Sequence, residues 1–134
     1  MWIKGFHMDG FGIFHDTGIR DLSPQLTVLL GDNEAGKSTT LDFFRAMFFG
    51  FPRRNAAGRR LREPLAGGTH GGRLYLADGG RDIQLRRTPG SGGGTLALTA
   101  ADGTPLPEAE LTRLLGSMTE GFFCHVHEIG RAHV

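Results

Sequence analysis

The residue types best suited to chemistry lie in one short stretch, where two glycines, a lysine and a serine have a fixed spacing. The stretch reads Gly-Asp-Asn-Glu-Ala-Gly-Lys-Ser-Thr and matches the pattern G-x-x-x-x-G-K-S. Glycine permits backbone angles that a Cβ forbids, so successive amides are able to turn inward and line a concave anion site. The lysine adds a compact charge for β- and γ-phosphates, and the serine hydroxyl is a ligand for Mg²⁺. The pattern predicts a phosphate-binding P-loop with Ser38 as metal ligand, and its candidate binding residues are Gly31, Asn33, Glu34, Ala35, Gly36, Lys37, Ser38 and Thr39.

Two flanking segments predict the elements that hold this loop. Residues 26–30, directly upstream, are nearly all apolar, which is typical of a strand buried on both faces. Residues 40–49 are long enough for a helix and apolar nearly all round, which predicts a core helix that starts near Lys37. The start of such a helix presents free amides and the positive end of its dipole to an anion. This strand, loop and helix context distinguishes a P-loop from a chance match in a glycine-rich chain.

The remaining segments predict mostly strands. We expect a strand at residues 2–8, a turn at 9–12 and a second short strand near 18–22. Further along, a hairpin, a flexible glycine-rich loop tip, a third strand and a short helix from Pro107 to Gly116 are predicted. In the hairpin, apolar residues alternate with polar ones around a turn at Asp78-Gly79-Gly80, so one face is expected to be buried. The hairpin strands are residues 73–77 and 81–87, the loop is 90–94 and the third strand is 95–99. The expected fold class is α/β: a mixed sheet with the P-loop strand and helix, plus an antiparallel hairpin region.

Length and composition limit the class of protein. The chain has 134 residues, of which 39% are hydrophobic, enough for the core of one domain. Its formal net charge of +1 provides no general attraction to nucleic acid or to a membrane surface. A single cysteine excludes a disulfide framework and is compatible with a reducing cytoplasm, where we expect the protein to act. No apolar run approaches the length that crosses a membrane, so no membrane partner is expected.

A cluster of arginines follows the predicted helix. Five arginines fall within ten residues of a polar segment that has no periodicity. One interpretation is an ordinary solvated loop. The other is a DNA backbone contact, because clustered arginines release counterions from nucleic acid. The candidate contact residues are Arg53, Arg54, Arg59, Arg60 and Arg62.

The P-loop with its Asn-Glu-Ala core, followed by Phe-Phe-Arg-Ala-Met-Phe-Phe-Gly-Phe, resembles the N-terminal ATPase segment of YhaN-like proteins. These proteins belong with the SbcC and SMC-type ABC ATPases of DNA repair and chromosome maintenance. Residues 3–12, the hairpin from Gly71 and residues 95–126 also resemble this family, so the resemblance covers residues 1–127. It implies the N-terminal half of an ABC-type ATPase head that binds ATP and Mg²⁺. It also implies two partners: a C-terminal half of the same head, and a second head in a homodimer.

In that family the C-terminal half supplies the signature motif, the Walker B acids and the switch histidine. We therefore expect no catalytic residue within residues 1–127, and we expect this chain alone to hydrolyse nothing and to fold poorly. Residues 128–134 read Glu-Ile-Gly-Arg-Ala-His-Val, which a common sequencing adapter encodes in one reading frame. We expect this tail to be non-native. Cys124, His125 and His127 fit no zinc-ligand pattern, and metal binding there is not expected.

Two other classes of protein remain open. One is a different P-loop enzyme, such as a transporter ATPase or a small-molecule kinase. Transporter ATPases carry an aromatic residue upstream that stacks on the base, and Phe6, Phe11 and Phe14 are candidates for that position. The other class is a nuclease of the overcoming-lysogenization kind, which has a similar head, and only sequence beyond this head distinguishes it.

Overall fold

Strands dominate the part of the chain that the structure describes. The computed structural model describes residues 1–20, 22, 34–52 and 61–116. In chain order the elements are β1 (Trp2–Phe11), β2 (Phe14–Ile19), α1 (Glu34–Phe49), β3 (Gly71–Asp78), β4 (Arg81–Thr88), β5 (Thr95–Ala100), β6 (Pro105–Leu106) and α2 (Ala109–Leu115). A short 3-10 turn, Ser91–Gly93, precedes β5.

The six described strands form one sheet in the order β2-β1-β3-β4-β5-β6. Every neighbouring pair among them is antiparallel. The described part of the sheet is therefore antiparallel, and the mixed sheet expected with the P-loop strand stays a prediction. All neighbours except β1 and β3 are consecutive along the chain, and short connections of this kind permit only antiparallel pairing. The P-loop strand predicted at residues 26–30 lies outside the described residues and stays a prediction.

One face of the sheet carries apolar side chains, and α1 packs on it. Leu74 and Leu85 are fully buried and lie directly opposite each other on β3 and β4. Phe43 and Met47 of α1 are also fully buried, and their spacing of four residues places them on the same side of the helix. Gly72 permits this close approach, because a Cβ there would lie 2.8 Å from the Phe43 ring. The burial of this side of α1 confirms the prediction of a core helix.

The alternation predicted for the β3–β4 hairpin is confirmed. At most 3% of the surface of its four inward-facing apolar residues is exposed: Leu74, Leu76, Ile83 and Leu85. The turn consists of Gly79 and Gly80, whose φ values of 55° and 85° suit a two-residue hairpin turn. The helix predicted from Pro107 to Gly116 is α2, which begins at Ala109 and has Gly116 as its C-cap.

The first hairpin differs from its prediction. β1 continues through Gly10 to Phe11, and β2 already begins at Phe14, so the turn lies at Gly12 and Ile13 rather than at residues 9–12. Gly10 and Gly12 are equally good turn signals in the sequence, but in the structure only Gly12 has a positive φ, of 55°. Gly10 instead permits a close approach by residues 64–69, since a Cβ there would lie 3.0 Å from two carbonyl oxygens of that segment.

The loop at residues 90–94, which the sequence predicts as a flexible tip, contacts the residues directly after α1. The amide of Phe51 donates to the carbonyl oxygen of Gly93 over 2.7 Å. Gly94 lies against the Phe51 ring, since a Cβ there would be 3.2 Å away. Glycines at these positions permit the close contact between the two segments.

The opposite face of the sheet is charged. Arg73 and Arg86 are directly opposite each other on β3 and β4, a placement that like charges disfavour. The carboxylate of Asp9 on β1 is shared between them. Its two oxygens lie 3.4 Å from Arg73 Nη2 and 3.3 Å from Arg86 Nη2. This shared carboxylate offsets the repulsion between the two guanidinium groups.

Candidate phosphate-binding site

The start of α1 lies inside the glycine-lysine-serine motif. The helix begins at Glu34 rather than near Lys37, so the second glycine and the lysine of the motif belong to its first turn. The first four amides of a helix have no acceptor within the helix, and the helix dipole places partial positive charge on them. The motif therefore provides the donors that an anion requires. Gly31 and Asn33 lie outside the described residues, and their roles stay predictions.

Ser38 and Thr39 continue the motif into the helix. Ser38 is half-buried, so part of its surface stays accessible, as ligation of a metal ion requires. Thr39 is 1% exposed and packs against the β1–β2 turn. A Cβ at Gly12 would lie 2.9 Å from Thr39 Cγ2, so this turn approaches the helix directly after the motif.

The same turn meets a third segment of the chain. The Gly12 amide donates to the carbonyl oxygen of Arg62 over 2.8 Å, and the Leu65 amide donates to the carbonyl oxygen of Gly12 over 2.9 Å. The Arg62 side chain turns back to the helix, where its Nε donates to Asp42 Oδ2 over 2.8 Å. We call Gly12, Thr39, Asp42, Arg62 and Leu65 the Arg62 junction. It joins the β1–β2 turn, the first half of α1 and residues 61–65.

Arg62 is therefore largely buried and paired, unlike a solvated arginine on the protein surface. Its side chain is 16% exposed and its partner Asp42 is 26% exposed. Its backbone has φ of 57°, a left-handed conformation that costs about 1 kcal/mol or more for a residue other than glycine. No sequence pattern indicates this ion pair, because its partners are twenty residues apart. The other four candidate DNA contacts, Arg53, Arg54, Arg59 and Arg60, lie outside the described residues.

His70 lies beside the Arg62 junction. Its ring packs against the rings of Phe11 and Phe51, with centroids 5.7 and 4.8 Å away. Burial lowers the pKa of the imidazole from its ordinary value, and hydrogen bonding to the backbone of residues 61 and 62 and the charge of Glu63 oppose this only in part. Its Nε2 is buried and has no hydrogen-bond partner among the described residues. Burial of His70 therefore favours its neutral imidazole over the protonated form.

Two of the three aromatic candidates for base stacking, Phe6 and Phe11, are buried in the core. Phe6 is 5% exposed and Phe11 is 1% exposed. Both rings contact the Phe43 ring of α1, with centroid distances of 6.1 and 5.3 Å. Phe14 is half-buried and packs against the same core. These contacts argue against a base-stacking role for Phe6 and Phe11.

Two further observations concern metals and membranes. In the described ranges, no three histidine, cysteine, aspartate or glutamate side chains are grouped to hold a metal ion. Cys124, His125 and His127 lie outside those ranges. None of the described helices is both long and apolar enough to cross a lipid bilayer.

Comparison with known proteins decides the family. The AAA domain family matches residues 1–134. The chain belongs to the AAA domain family. This AAA domain is also similar to the "Uncharacterized protein YhaN" of Bacillus subtilis (strain 168), with 35% identity over 72 residues. The resemblance to YhaN-like ATPases that the P-loop indicated is thereby confirmed.

The similarity covers about half of this chain but only a small part of YhaN. The aligned stretch covers 54% of this AAA domain and 7% of YhaN. Membership of the AAA domain family supports the P-loop NTPase class and an ATPase-type nucleotide-binding function.

Proposed function

We propose that this AAA domain binds ATP together with Mg²⁺ at the start of α1, as the nucleotide-binding part of an ATPase. One observation carries the proposal: α1 begins within the glycine-lysine-serine motif, so the amides that have no acceptor within the helix belong to that motif. Helix starts of this composition bind phosphate through their amides and their dipole. The match to the AAA domain family supports the same function.

The residues of the motif divide the task between them. The amides of residues 34–37 donate to phosphate oxygens, and the Lys37 ammonium pairs with the β- and γ-phosphates. The Ser38 hydroxyl holds the Mg²⁺, which neutralises phosphate charge when it is bound. Gly31 and Gly36 carry no Cβ that could obstruct an approaching phosphate. The buried Thr39 packs against the β1–β2 turn.

The wider setting is a second part of the proposal. We propose a head of the SbcC and SMC kind that acts on DNA in repair or chromosome maintenance. Its partners would be a C-terminal half of the same head and a second copy of the head. The support is the resemblance over residues 1–127 together with the similarity to YhaN.

The proposal is tested by titrating Mg·ATP into the natural protein that contains this sequence and into its Lys37→Ala variant. Loss of a charge-assisted contact worth about 1.5–3 kcal/mol is expected to raise the Kd about 10- to 100-fold. Lys4→Ala is the matched control, because Lys4 is the only other lysine and pairs with Asp82 on the charged face. Equal affinity in the protein and the Lys37→Ala variant would refute the proposed site.

A further inference from the structure

We propose that Arg62 and Asp42 are positioning residues for the phosphate site. Their ion pair, with the backbone hydrogen bonds at Gly12, holds the start of α1 in the orientation that receives the nucleotide. The inference rests on the proposed function, and it adds residues that the P-loop pattern does not contain.

The helix periodicity provides the first argument. Asp42 follows Ser38 by four residues and Thr39 by three, so the three residues lie on one side of α1. Two of them are fixed from outside the helix. Thr39 packs against Gly12, and Asp42 accepts the hydrogen bond from Arg62. The side of the helix that carries the metal-ligand candidate is therefore the side that the Arg62 junction holds.

The conformation of Arg62 provides the second argument. A left-handed backbone at an arginine persists only where its surroundings enforce it. Here the surroundings are the hydrogen bond from Gly12 to the Arg62 carbonyl and the ion pair to Asp42, each 2.8 Å long. Strain of this kind is retained where a precise placement is needed, and the placement here is that of the helix start.

The effect on function follows from how a helix start binds phosphate. The amides must point at the anion together, so a small tilt of the first turn weakens several hydrogen bonds at once. Neither Arg62 nor Asp42 has to touch the nucleotide. Loss of the pair is therefore expected to change the affinity for nucleotide in protein that is still folded.

The test measures the Kd for Mg·ATP of the natural protein and of three variants, well below the melting temperature. The variants are Asp42→Asn, Arg62→Asn and the double variant. Asparagine keeps the shape of the aspartate and tolerates the left-handed backbone at position 62. We expect each single variant to raise the Kd about fivefold and the double variant to raise it no further, because both substitutions remove the same interaction.

A charge exchange and a distant control complete the test. Asp42→Arg combined with Arg62→Asp restores an opposite pair, and it is expected to recover part of the affinity. Arg113→Gln breaks ion pairs with Glu110 and Asp78, at the end of the sheet away from Gly12, and should leave the Kd unchanged. Lower melting temperatures with an unchanged Kd would overturn the inference, because a purely structural pair has that effect.

The outcomes separate the two proposals. If the natural protein binds Mg·ATP and Lys37→Ala does not, while both single variants bind normally, only the positioning role is wrong. If the natural protein does not bind Mg·ATP, the proposed function fails and the positioning role with it. Should Arg62→Asn fail to fold, the Kd of Asp42→Asn alone decides the positioning role, since that substitution only replaces one carboxylate oxygen with an NH₂ group.

Discussion

The Nε of Arg87 donates a hydrogen bond to the carbonyl oxygen of Met47 over 3.0 Å, inside the apolar layer between the sheet and α1. The arginine is 8% exposed, and burial lowers the pKa of its guanidinium, which the charge of Glu108 opposes only in part. Met47 is among the last four residues of α1. The carbonyl groups of these four residues receive no hydrogen bond from an amide of the same helix. Arg87 therefore supplies both a donor and a positive charge at the negative end of the helix dipole.

We expect Arg87→Met to lower the free energy of unfolding by about 1–3 kcal/mol, because it leaves a buried carbonyl unsatisfied. Arg86→Met is the matched control, since Arg86 directly precedes Arg87 but its side chain is 46% exposed on the charged face. It should cost less than about 1 kcal/mol, as surface ion pairs do. Urea unfolding of both variants measures the two changes in the free energy of unfolding. Equal changes would contradict the role of Arg87 as hydrogen-bond donor to the end of α1.

A glycine on β3 determines how closely α1 approaches the sheet. A Cβ at Gly72 would collide with the carbonyl oxygen of His7 and lie 2.8 Å from the Phe43 ring. We expect Gly72→Ala to destabilise the protein by about 3 kcal/mol, because neither the strand nor the buried ring is free to move away.

Gly90→Ala provides the control for this glycine. A Cβ there meets nothing closer than 3.6 Å, and Gly90 does not have a positive φ. Its substitution should change the free energy of unfolding by less than about 0.5 kcal/mol. Thermal unfolding compares the two variants, and a Gly72→Ala protein as stable as Gly90→Ala would show that α1 does not pack as described.

The features predicted correctly from the sequence are those specified by neighbours along the chain. The alternation of Leu74 and Leu76 with polar residues, and the paired glycines of the next turn, determine the β3–β4 hairpin locally. The apolar face of residues 40–49 likewise indicates a core helix before any partner is known.

The features that the sequence did not reveal depend on contacts between distant segments. Gly10 and Gly12 are equivalent as turn signals, and they differ through contacts with distant segments: residues 64–69 approach Gly10, whereas Thr39 and Arg62 contact Gly12. The pairing of Arg62 with Asp42 requires a left-handed arginine, which no periodicity predicts. The period of two places Arg87 on the same face as Ile83 and Leu85, but no pattern in the sequence indicates that its Nε donates to the carbonyl oxygen of Met47.

His70 predicts a pH dependence of stability. Its pKa is lowered in the folded protein, so below about pH 6.5 the unfolded chain binds a proton that the folded protein resists. Above that pH, the titration of His70 should therefore leave the free energy of unfolding unchanged. Below it, the free energy of unfolding should fall as the pH decreases, by at most about 1.4 kcal/mol per pH unit for one proton.

The measurement is urea unfolding between pH 8 and pH 5 of the protein and of His70→Asn. The variant keeps a polar group but does not titrate in this range. Its free energy of unfolding should fall less steeply with decreasing pH, since the other histidines contribute equally to both proteins. Parallel curves would show that His70 is protonated as readily in the folded protein as in the unfolded chain.

The proposed DNA contact is tested by salt dependence. Each arginine that neutralises a phosphate contributes about −0.9 to the slope of log K against log salt for duplex DNA. Replacing Arg53, Arg54, Arg59 and Arg60 by glutamine should therefore flatten the slope markedly. Arg62→Asn is the informative comparison, because the Arg62 guanidinium already pairs with Asp42 and should add little to that slope. If the fourfold variant keeps the slope of the natural protein, the segment is an ordinary solvated loop and DNA is bound elsewhere or not at all.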